Sequence, residues 1–146
     1  NLSRVYDWAH DGLTEQQKAR WIAYGNQAMW NVWKAPGNAT TGMDAQWGGR
    51  THHWSGWATD NPANNYWRHF ANAGMHLGLA THGDNPQAQE WLDIFRNQKI
   101  ERDLLPVLNN KVQGGGSTEG TGYGVSTRTL WAIYDTQAEA LEAILP

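Results

Sequence analysis

Two Asn-Pro pairs, Asn61-Pro62 and Asn85-Pro86, frame the stretch 63–84 and constrain what this chain can build. An asparagine side chain accepts from the backbone N–H groups that a helix start leaves open, and proline's fixed φ suits the first helical position. Each pair therefore predicts a helix start. Between them, Phe70, Ala73, Gly74, Leu77 and Ala80 recur at helical spacing and predict one apolar stripe, with Gly83 ending the helix. After the second pair, Ala88, Trp91, Leu92 and Phe95 predict the buried face of another helix, which Pro106 bends or ends.

The same punctuation runs through the rest of the chain. Residues 2–9 (LSRVYDWA) read as the end of a helix broken at Gly12. Thr14 and Gln17 form a capping box, and Ala19, Ile22, Ala23, Trp30 and Trp33 follow at helical spacing, so a helix is expected from 15 to 34, stopped by Pro36 and Gly37. Helical residues are expected from 121 to 134, and Thr136 with Glu139 caps a last helix through Leu145. No period-2 run flanked by turns is found. The expectation is an all-α chain of helical hairpins, with no linker dividing residues 1–146 into two domains. Two corners, HDGLTEQQ (10–17) and HGDNPQAQ (82–89), resemble one another.

Composition narrows the functions. A chain of 146 residues can form one modest domain with its own core. With a net charge of −3 there is no bulk basic field, which argues against nucleic acid as a general partner. No apolar run approaches the roughly 18 residues of a membrane span. There is no cysteine, hence no disulfide and no thiolate metal site, a composition that fits either the cytoplasm or an export compartment. A start at Asn1 rather than Met reads as a processed or excised segment. The chain has 10 tryptophans against 2 phenylalanines, and Trp47, Trp54, Trp57 and Trp67 stand in polar, glycine-rich surroundings. They are read either as aromatic anchors of core and loops or as stacking platforms for the apolar faces of sugar rings. The stretch 36–61, long and without a period, reads as a functional loop.

The helix after Pro62 also carries a polar row. Asn65, His69, Asn72 and His76 are spaced four, three and four apart. At about 100° per residue they share one face. Solvated helix faces favour Lys and Glu, so amides and imidazoles in a row point to directional hydrogen bonding, in a polar seam between helices or in the wall of a cleft. Arg68 stands beside the row and suits an anion. His52-His53 lacks a third ligand at metal spacing, so no metal and no cofactor is expected. The glycine-rich stretch GGGSTEGTGYG (114–124) has no following Lys and no preceding strand, so it is neither a P-loop nor a dinucleotide fingerprint. Glycine lets backbone approach a ligand closely. With Glu119, Tyr123 and Arg128 in or near it, this stretch reads as a site loop.

Three stretches together resemble the heparinase II/III-like and alginate-lyase-like polysaccharide lyases. The segment 64–93 (NNYWRHFANAGMHLGLATHGDNPQAQEWLD) resembles their Asn-rich helix and the acidic, proline-containing corner after it. The segment 114–124 resembles their G-S-x-E-G-x-x-Y loop, and YDWAHDGLTEQQKARW (6–21) resembles the preceding helical hairpin. The resemblance implies part of an (α/α) toroid, without the β-sandwich that follows it in the family, and a secreted or periplasmic setting. It implies β-elimination on an anionic, uronate-containing polysaccharide. Asn and His neutralise the uronate carboxylate, a base removes the C5 proton and an acid protonates the leaving oxygen. Carried over, Asn65 with Asn64 matches the carboxylate-binding position and Tyr123 the catalytic tyrosine. Where alginate-lyase-like members place a His after the Asn, this chain has Tyr66, and His69 one turn on takes its place. Tyr66, Trp67, Arg68, Asn72, Arg128, His53 and Trp54 complete the expected substrate contacts, with Arg50 a further cation. Glu119 is assigned to holding the loop, since a second carboxylate would repel an anionic substrate. A toroidal glycoside hydrolase, using Glu119 with Asp44 or Asp60, and a non-catalytic carbohydrate-binding domain using Trp54, Trp57 and Trp67 are the competing readings. A partial toroid leaves apolar helix faces open to self-association.

Overall fold

A computed structural model describes residues 2–33, 46–47, 50–51, 61–111, 114 and 142. The described residues are helical apart from turns and one very short strand pair. Helix α1 spans Leu2–Ala9 and runs into a 3₁₀ turn at His10–Gly12. Helix α2 spans Glu15–Trp33, and its start is the expected capping box. Thr14 N–H donates to Gln17 Oε1 at 2.8 Å, and Gln17 N–H donates back to Thr14 Oγ1 at 3.3 Å. Strands β1 (Gln46–Trp47) and β2 (Arg50–Thr51) pair antiparallel, Gln46 with Thr51 and Trp47 with Arg50. Two residues per strand carry no readable alternation, which is why the sequence did not announce them.

Helix α3 spans Asn65–Ala80. It begins three residues later than the Asn61-Pro62 pair predicts. Asn61 caps a tight turn instead: its Oδ1 accepts from Ala63 N–H at 3.1 Å and its carbonyl from Asn64 N–H at 2.9 Å. Asn64 is the helix cap, its Oδ1 accepting from Tyr66 N–H at 2.8 Å. Thr81 closes α3, and Gly83, at φ +94°, turns the chain. The second Asn-Pro pair repeats the pattern. Asn85 Oδ1 accepts from Gln87 N–H at 3.0 Å, and α4 starts only at Ala88.

Helix α4 (Ala88–Asp93) continues without a break into a π-helical segment, Ile94–Leu104, and then α5 (Leu105–Lys111). Pro106 does not end the helix. It sits in the first turn of α5, just after the widened turns, where the ring and the missing N–H are tolerated. The region assigned to helices beyond residue 120 lies outside the described residues except for Glu142, which is helical.

Helix α3 packs against α1, α2, α4 and the π segment, so it is the central element. Its buried face is not the expected stripe: Ala73 is exposed and Phe70 and Ala80 are half-buried. Trp67, Ala71, Met75, Leu92, Phe95, Ile100 and Leu104 form one core cluster, and Met29, Leu77, Trp91 and Ile94 a second. A helix with neighbours on several sides buries more than one stripe, which single-stripe reasoning misses. Small residues permit the close contacts. The six-membered ring of Trp33 rests directly on Gly74, leaving no room for a Cβ, and a Cβ on Gly78 would lie 2.6 Å from Leu92 Cγ. Trp33 is further enclosed by Trp91, ring centroids 6.1 Å apart, and by Lys99 Nζ, 5.9 Å from its centroid. Lys99, only 7% exposed in the π segment, also reaches Asp103 Oδ2 at 3.5 Å. No described helix is long and apolar enough to cross a membrane.

Candidate functional site

The sequence left open whether the row on α3 was a satisfied polar seam or a cleft wall. The structure contains a satisfied seam, but it is built from other residues. Asn26 on α2 and Asn85 at the α3–α4 corner form a reciprocal amide pair: each Nδ2 donates to the other's Oδ1 at 2.9 Å. Asn85 Nδ2 also donates to Thr81 Oγ1 at 3.0 Å, and Trp91 Nε1 donates to Asn26 Oδ1 at 2.7 Å. Asn26, Thr81, Asn85 and Trp91 are all buried. On α2, Gln27 Nε2 donates to Asn31 Oδ1 at 2.8 Å. The Asn26–Asn85 pair holds α2 against the corner, whereas the Gln27–Asn31 bond lies within α2 and leaves the buried Asn31 Nδ2 without a partner.

The α3 row differs. The side chains of Asn65, His69 and Asn72 make no hydrogen bond to another described residue, and the buried Oδ1 of Asn72 has no donor. Asn65 and Asn72 are half-buried and His69 is exposed. His76, at the far end, is half-buried; burial pushes its pKa below the usual histidine value, and Arg4 of α1 pushes the same way. It is therefore a neutral imidazole at neutral pH, able to accept as well as donate. The helix thus presents two amides and two imidazoles whose bonding capacity the described fold leaves unspent.

The cap positions this row. Asn64 uses its oxygen to accept from Tyr66 N–H, which leaves its amide nitrogen as a donor toward a ligand. Arg68 is 3% exposed and its Nη2 donates to Ala63 O at 3.2 Å. It holds the turn before the helix rather than presenting its guanidinium to solvent, contrary to the expected anion contact, because the long stem is drawn into the core beside Trp67. Trp67 is 1% exposed and belongs to the main core cluster, so it is an anchor and not a stacking platform. Tyr66 is 45% exposed. Tyr123, Glu119, Arg128, His53 and Trp54 lie outside the described residues, as do Trp57, Asp44, Asp60 and His52.

A second polar constellation went unnoticed in the sequence. The carboxylate of Asp84, at the corner after α3, receives Tyr6 Oη–H and His10 Nε2, both at 2.7 Å from Oδ2. The other ring nitrogen of His10 faces Asp11 Oδ1 at 3.3 Å. With a carboxylate at each nitrogen, only the imidazolium satisfies both contacts. The hydrogen bonds to Asp84 and then Asp11 raise the His10 pKa, and those from Tyr6 and then His10 lower that of Asp84. Burial, then Asp84, raises that of the Tyr6 hydroxyl. The visible signal was the likeness of the corners 10–17 and 82–89: they are not merely similar, since His10 of one meets Asp84 of the other.

Among the described residues, no group of three or more His, Asp or Glu is arranged to hold a metal ion. No protein-family model matches the chain, and neither a curated protein nor a solved structure does.

Proposed function

We propose that the chain is a polysaccharide lyase, or the part of one that carries the substrate-binding helix, acting on an acidic, uronate-containing polymer. The observation that carries this reading is the contrast between the Asn26–Asn85 pair, whose amides are consumed by the fold, and the row on α3, where the side chains of Asn65, His69 and Asn72 are not. Unspent neutral donors and acceptors on one helix face suit a ligand bearing both hydroxyls and a carboxylate. The helical hairpins are read as part of an (α/α) toroid, in which α3 would line the substrate cleft.

In this reading Asn65 donates a hydrogen bond to the uronate carboxylate and stabilises the negative charge that builds on its oxygens as the enolate forms, making the C5 proton easier to remove. His69 takes that proton. The electron pair forms the C4=C5 bond, the C4–O bond breaks, and Tyr123 gives its proton to the departing glycosidic oxygen. Arg68 acts indirectly, by holding the turn that sets Asn64 and Asn65.

Incubation with alginate, heparan sulfate, hyaluronan and a neutral glucan tests the reading. A lyase releases unsaturated products that absorb in the ultraviolet from at least one uronate polymer and none from the glucan. New reducing ends without that absorbance would indicate hydrolysis, and binding without cleavage a carbohydrate-binding module. Tyr123→Phe should lose turnover by roughly a hundredfold or more with affinity largely kept, as expected when a proton donor is removed. Full activity in that variant would remove Tyr123 from the mechanism.

A further inference from the structure

On the opposite side of α2 from the amide seam, Gln17, Arg20, Trp21 and Tyr24 fall at spacings of three, four and seven and line one open groove, closed at its other wall by Leu2 of α1. Its volume is about 490 Å³. That is within the range of roughly 300–1,000 Å³ typical of small-ligand sites and accommodates a sugar ring with its substituents. None of the α3 row lines it.

Three features give the groove a chemical preference. Arg20 is exposed and forms no ion pair with a described residue; the nearby acid, Glu15, is taken by Lys18 at 3.3 Å. An exposed guanidinium without a carboxylate is open to an external anion, which it meets in a two-pronged geometry. Trp21 is half-buried and steadied by Tyr6, ring centroids 6.3 Å apart, so its orientation is set before any ligand arrives. Tyr24, one turn along, keeps 43% of its surface exposed. A cation in the same groove as two aromatic side chains fits a ring with a carboxylate on one edge and C–H groups on a face. Gln17 keeps its amide nitrogen for a hydroxyl, since its oxygen is used in the capping box.

We propose that this groove is a second carbohydrate subsite, taking one acidic pyranose ring of a polymer, with Arg20 on the carboxylate and Trp21 and Tyr24 against the ring. The choice of a uronate rests on the lyase reading above. The groove would hold the polymer away from the α3 row and keep the chain on its substrate between turnovers.

The test is calorimetric binding of hexasaccharides from alginate, heparosan and hyaluronan, with cellohexaose as neutral control, to the whole chain and to Arg20→Gln, Tyr24→Ala and the Asn65→Ala/His69→Ala double variant. Far-ultraviolet circular dichroism checks that each is folded. Arg20→Gln should weaken acidic hexasaccharides about tenfold, the scale of one charge-assisted contact, and lose most of the salt dependence of binding. Tyr24→Ala should weaken acidic and neutral ligands alike. The double variant should keep the binding event that Arg20→Gln weakens. Unchanged affinity in both Arg20→Gln and Tyr24→Ala overturns the subsite, as does a wild type that binds none of the acidic hexasaccharides. Groove binding that persists in a protein releasing no unsaturated product supports the subsite and overturns the lyase reading alone.

Discussion

Replacing Asn85 by alanine should destabilise the chain by about 2–4 kcal/mol, and the figure follows from counting its partners. The Asn85 side chain accepts from Asn26 Nδ2 and Gln87 N–H and donates to Asn26 Oδ1 and Thr81 Oγ1. After truncation, Asn26 Oδ1 keeps Trp91 Nε1, and Thr81 Oγ1 still donates to Leu77 O at 2.7 Å. Asn26 Nδ2 is left with nothing in a residue that is 0% exposed, and a stranded buried donor costs about 1–3 kcal/mol. Gln87 N–H is only partly buried and turns to water. The small void adds about 1 kcal/mol. For a chain of this size the sum lowers Tm by about 5–15 °C. Urea and thermal unfolding of Asn85→Ala, Asn26→Ala and the double variant measure it. The double variant should be less damaging than the sum of the singles, with a coupling of about 1–2 kcal/mol, because removing both partners strands less. A single variant within 0.5 kcal/mol of wild type, or strict additivity, would refute the claim that this pair locks α2 to the corner.

Gly74→Ala should cost about 1–3 kcal/mol despite alanine's better helix propensity, because the added methyl would overlap the Trp33 ring, itself confined by Trp91 and Lys99; wild-type stability in urea would contradict the packing. The His10–Asp84 contact predicts a pH window. The raised His10 pKa gives stability that is complete below histidine's ordinary value of about 6.5 and is lost as pH rises through the folded pKa, whereas the lowered Asp84 pKa gives stability complete above about 3.9 and lost as pH falls through its own. The lowered His76 pKa works the other way, favouring the fold above about 6.5, and is shared by wild type and variant. The Tm difference between wild type and His10→Gln should therefore be largest between about pH 4 and 6.5 and shrink above it; a difference that grows toward alkaline pH would exclude an imidazolium at this position.

Much of the secondary structure was legible because its causes are local. The Thr14–Gln17 capping box and the Ala88–Trp91–Leu92–Phe95 face involve residues a few positions apart, and the structure keeps both. Helix starts were legible only to within a few residues. An asparagine caps a turn as readily as a helix, and Asn61 and Asn85 each cap a turn that precedes the helix. The π segment was not legible, since no side-chain type marks i→i+5 pairing, and the continuous helix carries the chain past Pro106.

The candidate site divides along the same line. The sequence by itself determined that α3 bears Asn65, His69, Asn72 and His76 on one face, because helical periodicity is a property of spacing alone. Which amides are spent was a tertiary decision. Asn26 and Asn85, 59 positions apart, find each other only when α2 docks on the corner, and Asp84 becomes a partner of Tyr6 and His10 only when α1 does. Tertiary packing likewise took Trp67 and Arg68 out of the expected contact surface and placed them in the interior. A sequence states what each side chain can bond; the fold states what it is already bonding, and only the remainder is open to a ligand.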